Sequence, residues 1–501
     1  MPQLEEHLGK FDVEVAEKFD PTSYYEQAAG RLVIDPQLAK VEFGEALASM
    51  LKLSPDGSTI LWPQPANDPN DPQNWSDRRK ALHLLVITLA ASIPDFDSGI
   101  GIASIFGLAQ TYHTTTGVIN NLTSNWSIFL LGWGGIFWVI LMRRYGRLPV
   151  LFWTQIFALA FLVGATFSPD LATFTGHGLY VITDIFPFHL QAKKLNIWTL
   201  GFIMHVFNDW RWAYGIGSLY SAVIVLLIGL FLEETMYDRH MDHNPQRILP
   251  GIQYRLETLI GITGYKMAKY RSHWSEVVWA CLNVVWRPQF ILVVCFEAFV
   301  FGFAVGINVT NVVFMGSPPP VGFGFSQFGV AGAYATPILA VILGELGGRF
   351  LNERIMNFTV RKNKGIFEAE SRLWACYAAM PLFICGFLTL GAGIQHLNKA
   401  AFIIGWGIAE IAVMMNTVAV YAYCSDCFPR HQGEISALLN LARVLGGFSV
   451  AYFQVPWATK SGGIQTFGVE AAIVIGLFLI AVPTVQLRGR YFRVRDNIII
   501  I

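Results

Sequence analysis

Apolar runs with few or no charges, each about as long as a lipid bilayer is thick, recur from residue 82 to residue 487. A membrane-spanning helix needs about 20 mostly apolar residues. Ten stretches meet that need: 82–107, 124–142, 149–168, 212–232, 289–309, 328–346, 373–394, 400–423, 435–456 and 467–487. Each ends near Gly, Pro or charge, as helix punctuation should. Only 14% of the 501 residues are charged, against about 25% in soluble proteins. The expected solvent is therefore a lipid bilayer, and the expected class is an all-α membrane protein. A net charge of zero argues against a nucleic-acid partner. No cleavable signal peptide is expected, because the first apolar run comes too late.

Residues 1–76 hold thirteen Asp/Glu against five Lys/Arg. The division that follows is a tail at 1–81, a first helical bundle at 82–232, a polar linker at 233–287, a second bundle at 288–487 and a tail at 488–501. Basic residues gather in alternate loops: Arg78, Arg79 and Lys80; Arg143, Arg144 and Arg147; the linker; Arg349 to Lys364; and Arg488 to Arg495. Loops 108–123 and 310–327 have no Lys or Arg. By the positive-inside rule both termini are expected to be cytoplasmic. Around 176–207 lie two apolar pieces, 178–188 and 196–207, each about half a span long. Asp184 interrupts the first, and Lys193 and Lys194 separate them. They read as shortened helices.

Ionisable residues inside spans are costly, about 2.5–3.5 kcal/mol each at a helix centre. They usually face the bundle interior. Asp95 and Asp97 lie beside Pro94, where a kink is expected, and being two apart they point to different faces. Glu297 is central in the run from 289, Glu410 lies in the run from 400, and Asn416 follows about two turns on. Desolvation favours the neutral carboxyl, which brings proton exchange within reach of neutral pH. The competing reading is an interhelical hydrogen bond. The candidates for substrate or proton contact are Asp97, Glu297, Glu410 and Asn416. Arg443 is expected to snorkel to the cytoplasmic surface.

The loop 143–149 reads Arg-Arg-Tyr-Gly-Arg-Leu-Pro. Gly146 allows a tight turn between two helices. Arg144 and Arg147 can bind helix C-terminal carbonyls or a carboxylate on the neighbouring bundle. Cys424 and Cys427 form a lone CxxC beside His431; without a second pair no metal site is expected. No catalytic cluster and no cofactor motif is visible, so the chain is not read as an enzyme.

This loop resembles the cytoplasmic loop motif of the major facilitator superfamily. Arg144, Gly146 and Arg147 match it, while Arg143 stands where that motif has an acidic residue. Three further stretches are similar to fungal transporters of the drug:proton antiporter branch, which includes polyamine and histidinol transporters. They are 68–76 (Asp-Pro-Asn-Asp-Pro-Gln-Asn-Trp-Ser), 234–239 (Glu-Thr-Met-Tyr-Asp-Arg) and 428–443. The resemblance covers most of 62–487. It departs near the fourth and fifth helices: 181–186 and 210–212 look like family flanks, but the Gly-Pro-rich motif that should follow Thr199 is missing.

The resemblance implies two bundles with a site between them near the midplane, reached by rocking of the halves. The expected function is secondary, proton-coupled movement of a small organic solute, with cations favoured by the acidic candidates. A monomer in the plasma membrane is expected. The second reading is a non-transporting membrane protein derived from a truncated transporter gene.

Overall fold

The computed structural model describes residues 32–175, 210–237 and 251–498, apart from short gaps before residue 71 and at 94–96, 98–99, 102–103, 364–365 and 429–430. The shortened helices expected near 176–207 and the site of Asp95 lie outside the described residues.

The expectation of an all-α membrane fold holds. The chain runs through α1 (Asp77–Ala91), α2 (Trp126–Tyr145), α3 (Arg147–Thr166) and α4 (Trp210–Phe231). After a linker containing α5 (Trp274–Val285) come α6 (Pro288–Gly316), α7 (Ala335–Lys362), α8 (Trp374–Gln395), α9 (Lys399–Cys427), α10 (Gln432–Ser461) and α11 (Gly463–Ile498). Among the described residues seven helices, α3, α4, α6 and α8 to α11, are long and apolar enough to cross a membrane.

Local chemistry sets several boundaries. Pro288 opens α6, where its fixed φ suits the first helical position and its missing N–H is no loss. Asn398 caps α9 by accepting from the N–H groups of Ala400 and Ala401. Gly462, with φ +86°, separates α10 from α11. Two spans differ from expectation. The run expected at 328–346 is a short helix, Gln327–Ala333, followed by α7, which continues to Lys362. Charge does not end a helix that has left the membrane, and the Glu345–Arg349 pair one turn apart at 3.6 Å supports the extension. The first span, expected at 82–107, begins as a helix already at Asp77.

In the first group α1, α3 and α4 pack around Val86, Leu151, Ile224 and Ile228. The second group, α6 to α11, encloses Phe296, Phe383, Phe387, Trp406 and Phe467. Small residues let its helices approach closely. A Cβ on Gly302 of α6 would stand 2.8 Å from the Cα of Gly446 on α10.

Helix α2 packs along α10, joining the groups. Phe129 meets Phe448 at 4.8 Å between ring centres, Gly132 faces Val444, and Tyr452 donates to Asn121 Oδ1 at 3.0 Å.

The N-terminal segment is also engaged. Leu32–Val33 pairs antiparallel with Ile366–Phe367, in the loop between α7 and α8. Farther on, Asp68 accepts from the Tyr237 hydroxyl at 2.7 Å, and Arg79 forms an ion pair with Glu233 just after α4.

Candidate functional site

Three buried polar clusters lie within the second bundle, and α6 contributes to each. Glu297 of α6 is fully buried and bound to Arg443 of α10, whose Nη2 and Nε reach Oε1 at 2.6 and 3.0 Å. Thr417 Oγ1 donates to the same oxygen at 2.8 Å, and Asn416 Nδ2 to the other at 3.0 Å. The Arg443 guanidinium also lies 4.6 Å from the Phe301 ring. The expectation that Arg443 snorkels to the surface is therefore corrected: its side chain is fully buried. A charge deep in the bundle is tolerated because an opposite charge and further hydrogen bonds meet it there.

Three turns along α6, Asn308 Nδ2 donates to Glu410 Oε1 at 2.9 Å. Asn308 Oδ1 accepts from the Trp406 indole at 3.0 Å, and its backbone carbonyl from the Tyr334 hydroxyl at 2.7 Å. Tyr334 and Trp406 meet edge to face at 5.2 Å. Two residues on, and so facing other neighbours on the helix, Thr310 donates to Gln454 Oε1 at 2.6 Å. The Gln454 amide donates to both oxygens of Glu470 at 3.0 and 2.9 Å. Glu470 is fully buried on α11. The sequence reading missed both Gln454 and Glu470. The available signal was an acidic residue inside the run 467–487.

Of the predicted residues the structure brings Glu297 and Asn416 into direct contact. It holds Glu410 in the separate cluster with Asn308. Asp97 belongs to the first bundle, buried against α4, with Oδ1 3.4 Å from where a Cβ on Gly217 would stand. Among the described residues neither Asp97 oxygen has a hydrogen-bond partner, nor has the hydroxyl of Ser221, one turn beyond Gly217.

At the basic end of the helices, Gly146 joins α2 to α3 with φ +101°, a conformation that favours glycine. Glu234 fills the space a side chain would take there, with Oε2 2.5 Å from an ideal Cβ. Its carboxylate accepts from the backbone N–H groups of Arg147 and Leu148, both at 3.1 Å. It thus caps the positive end of α3. Arg144 donates to the Ser272 carbonyl at 3.2 Å. Arg143, in place of Arg144 or Arg147, reaches the facing bundle: it forms an ion pair with Glu434 in the first turn of α10, and its Nη1 lies 3.4 Å from His431 Nδ1. The acidic position of the loop motif thus carries the opposite sign here, and the carboxylate stands on the other bundle.

The Major Facilitator Superfamily model matches residues 197–451. The chain belongs to this superfamily. It is 23% identical to the "MFS transporter fsa7" of Fusarium sp. (strain FN080326), over 77% of this chain and 79% of that protein. It is 25% identical to the "uncharacterized MFS-type transporter C1271.10c" of Schizosaccharomyces pombe, over 95% and 94%. Part of it, 34% of the chain, is 26% identical to the "MFS-type efflux pump MFS2" of Trichophyton rubrum, covering 33% of that protein. The xylose transporter XylE from E. coli has a similar fold, with TM-score 0.50 and 13% identity over 81% of this chain and 98% of that one. Family and fold make this superfamily member a multi-pass membrane protein of the secondary-transporter type rather than an enzyme.

Proposed function

We propose that this protein is a proton-coupled transporter of a small organic solute, and that Asp97 carries the proton. The observation that supports this reading is the Asp97 carboxylate, buried in the first bundle with neither oxygen hydrogen-bonded among the described residues. An ionised carboxylate left so would carry the full cost of burial, whereas the neutral form does not. Such a group gains a proton when closed off and gives it up when water or a cationic solute reaches it. Glu410, with Asn308, Trp406 and Tyr334, is the polar cluster assigned in this reading to the second bundle's share of the site. Glu297 and Asn416 hold that bundle's helices in register through Arg443. In this reading residues 82–232 and 288–487 are the two halves that rock, and the alternation of basic and bare loops supports cytoplasmic termini. The named efflux pump among the relatives favours export over uptake, and a drug-like or cationic solute fits the acidic residues.

The test is transport in proteoliposomes across an imposed pH gradient, screened with cationic and neutral organic dyes. Asp97→Asn is expected to abolish accumulation driven by the gradient while leaving solute exchange at equal pH intact. Gradient-driven accumulation by Asp97→Asn at the unaltered rate would remove Asp97 from the coupling.

A further inference from the structure

The stretch between the bundles, read from sequence as a polar linker, is folded into three helices: Gly251–Ile260, Ile262–Ala268 and α5. One face of α5 is buried at Val277, Cys281 and Val284, a spacing of one helical stripe. That face is committed to protein. Helix α5 packs against both α2 and α10, Trp274 meets Tyr145 edge to face at 5.9 Å, and Arg144 binds the carbonyl of Ser272.

The opposite side of α5 and its C-terminal end carry exposed aromatic residues. Trp279 is 63% exposed and Trp286 77% exposed, with Leu282 between them at 43%. The preceding helix and the turn after it add Tyr265 and Tyr270, at 74% and 58%. Large exposed aromatic surfaces of this kind mark a partner or a membrane. The direction of the chain selects the membrane. Trp286 is followed by Arg287 and then by Pro288, the first residue of the spanning helix α6, so the exposed Trp286 stands at the point where the chain enters a span. Tryptophan and tyrosine settle where hydrocarbon meets headgroups. Positive charge accompanies them. Lys269 Nζ lies 4.9 Å from the Tyr270 ring, and Lys266 is 62% exposed beside its partner Glu257.

We infer that α5 and the helix before it form a lipid-headgroup surface, with Trp279 and Trp286 seated at the acyl boundary and Lys266 and Lys269 recognising anionic lipid. An amphipathic helix with aromatic residues on one side and lysines nearby binds in the plane of the interface.

The experiment uses the full chain in phosphatidylcholine vesicles whose acyl chains carry bromine close to the glycerol, read by tryptophan fluorescence. The emission lost on making Trp279→Phe with Trp286→Phe isolates these two of the fifteen tryptophans. Bromine is expected to quench most of that difference; a difference signal unaffected by bromine overturns the interfacial placement. Moving the bromine to a minority of phosphatidylserine tests the charge. Each lysine at the surface enriches anionic lipid by about fivefold, so brominated phosphatidylserine should quench more than the same amount of brominated phosphatidylcholine. Lys266→Gln with Lys269→Gln should abolish that excess. Equal quenching by the two lipids overturns anionic recognition. No transport is involved, so the outcome is independent of the proton-coupling proposal.

Discussion

The two bundles treat buried carboxylates differently. In the second, Glu297, Glu410 and Glu470 each accept hydrogen bonds from named side chains, and Glu297 is also matched by Arg443. In the first, Asp97 is buried with neither oxygen bonded among the described residues. An acid inside a membrane span can therefore be part of the frame or be held in readiness for a ligand. Its partners, more than its position along the helix, distinguish the two.

The contrast breaks most visibly at Arg443. Arg443→Met leaves Glu297 as an uncompensated buried charge and should cost about 3–5 kcal/mol, read as a lower unfolding midpoint of the detergent-solubilised protein. Pairing it with Glu297→Gln should recover much of the loss; a double variant as unstable as the single one would mean that the charge pair does not hold the frame. Next in size, Gln454→Leu strands the Glu470 carboxylate and should cost about 1–3 kcal/mol. Glu470→Met in the same chain should then restore most of that stability in the same unfolding assay.

The pair between the bundles should matter less. Arg143 is 31% exposed, and partly solvated ion pairs contribute about 1 kcal/mol or less. Arg143→Glu and Glu434→Arg should each weaken the fold slightly and together recover it, and a double-mutant cycle with no coupling would separate the two residues. The smallest effect sharpens the comparison: Asp97→Asn removes no hydrogen bond found among the described residues and should change stability by less than about 1 kcal/mol. A loss comparable to that of Arg443→Met would place Asp97 in the frame after all.

The span pattern was legible because lipid imposes one requirement on every helix, a predominantly apolar run of sufficient length. Thus 289–309 falls within α6, and 400–423 within α9. The contact between Glu297 and Asn416 was foreseeable only as two polar residues in the interior of the same bundle. Arg443 was misplaced because its depth depends on which way α10 is turned, and that is set by the close packing of Gly302 against Gly446 across two distant segments. Gln454 and Glu470 escaped notice because each is a single polar residue near a helix end; they gain significance only when α10 and α11 come together. The charge reversal at Arg143 was visible in the sequence, but its partner Glu434 is nearly three hundred residues away and only the fold joins them.

The short ladder at Leu32–Val33 has a mechanical consequence. These residues are pinned to the loop between α7 and α8, while Asp68 and Arg79 are pinned beside the end of α4. If the halves rock as proposed, the intervening stretch must span a changing gap. It contains the helices Pro36–Phe43 and Glu45–Met50, and a helical residue advances about 1.5 Å where an extended one advances more than about 3 Å. Under the proposed rocking, unwinding a few residues would pay out slack, and this leading segment would act as a coiled leash between the two halves.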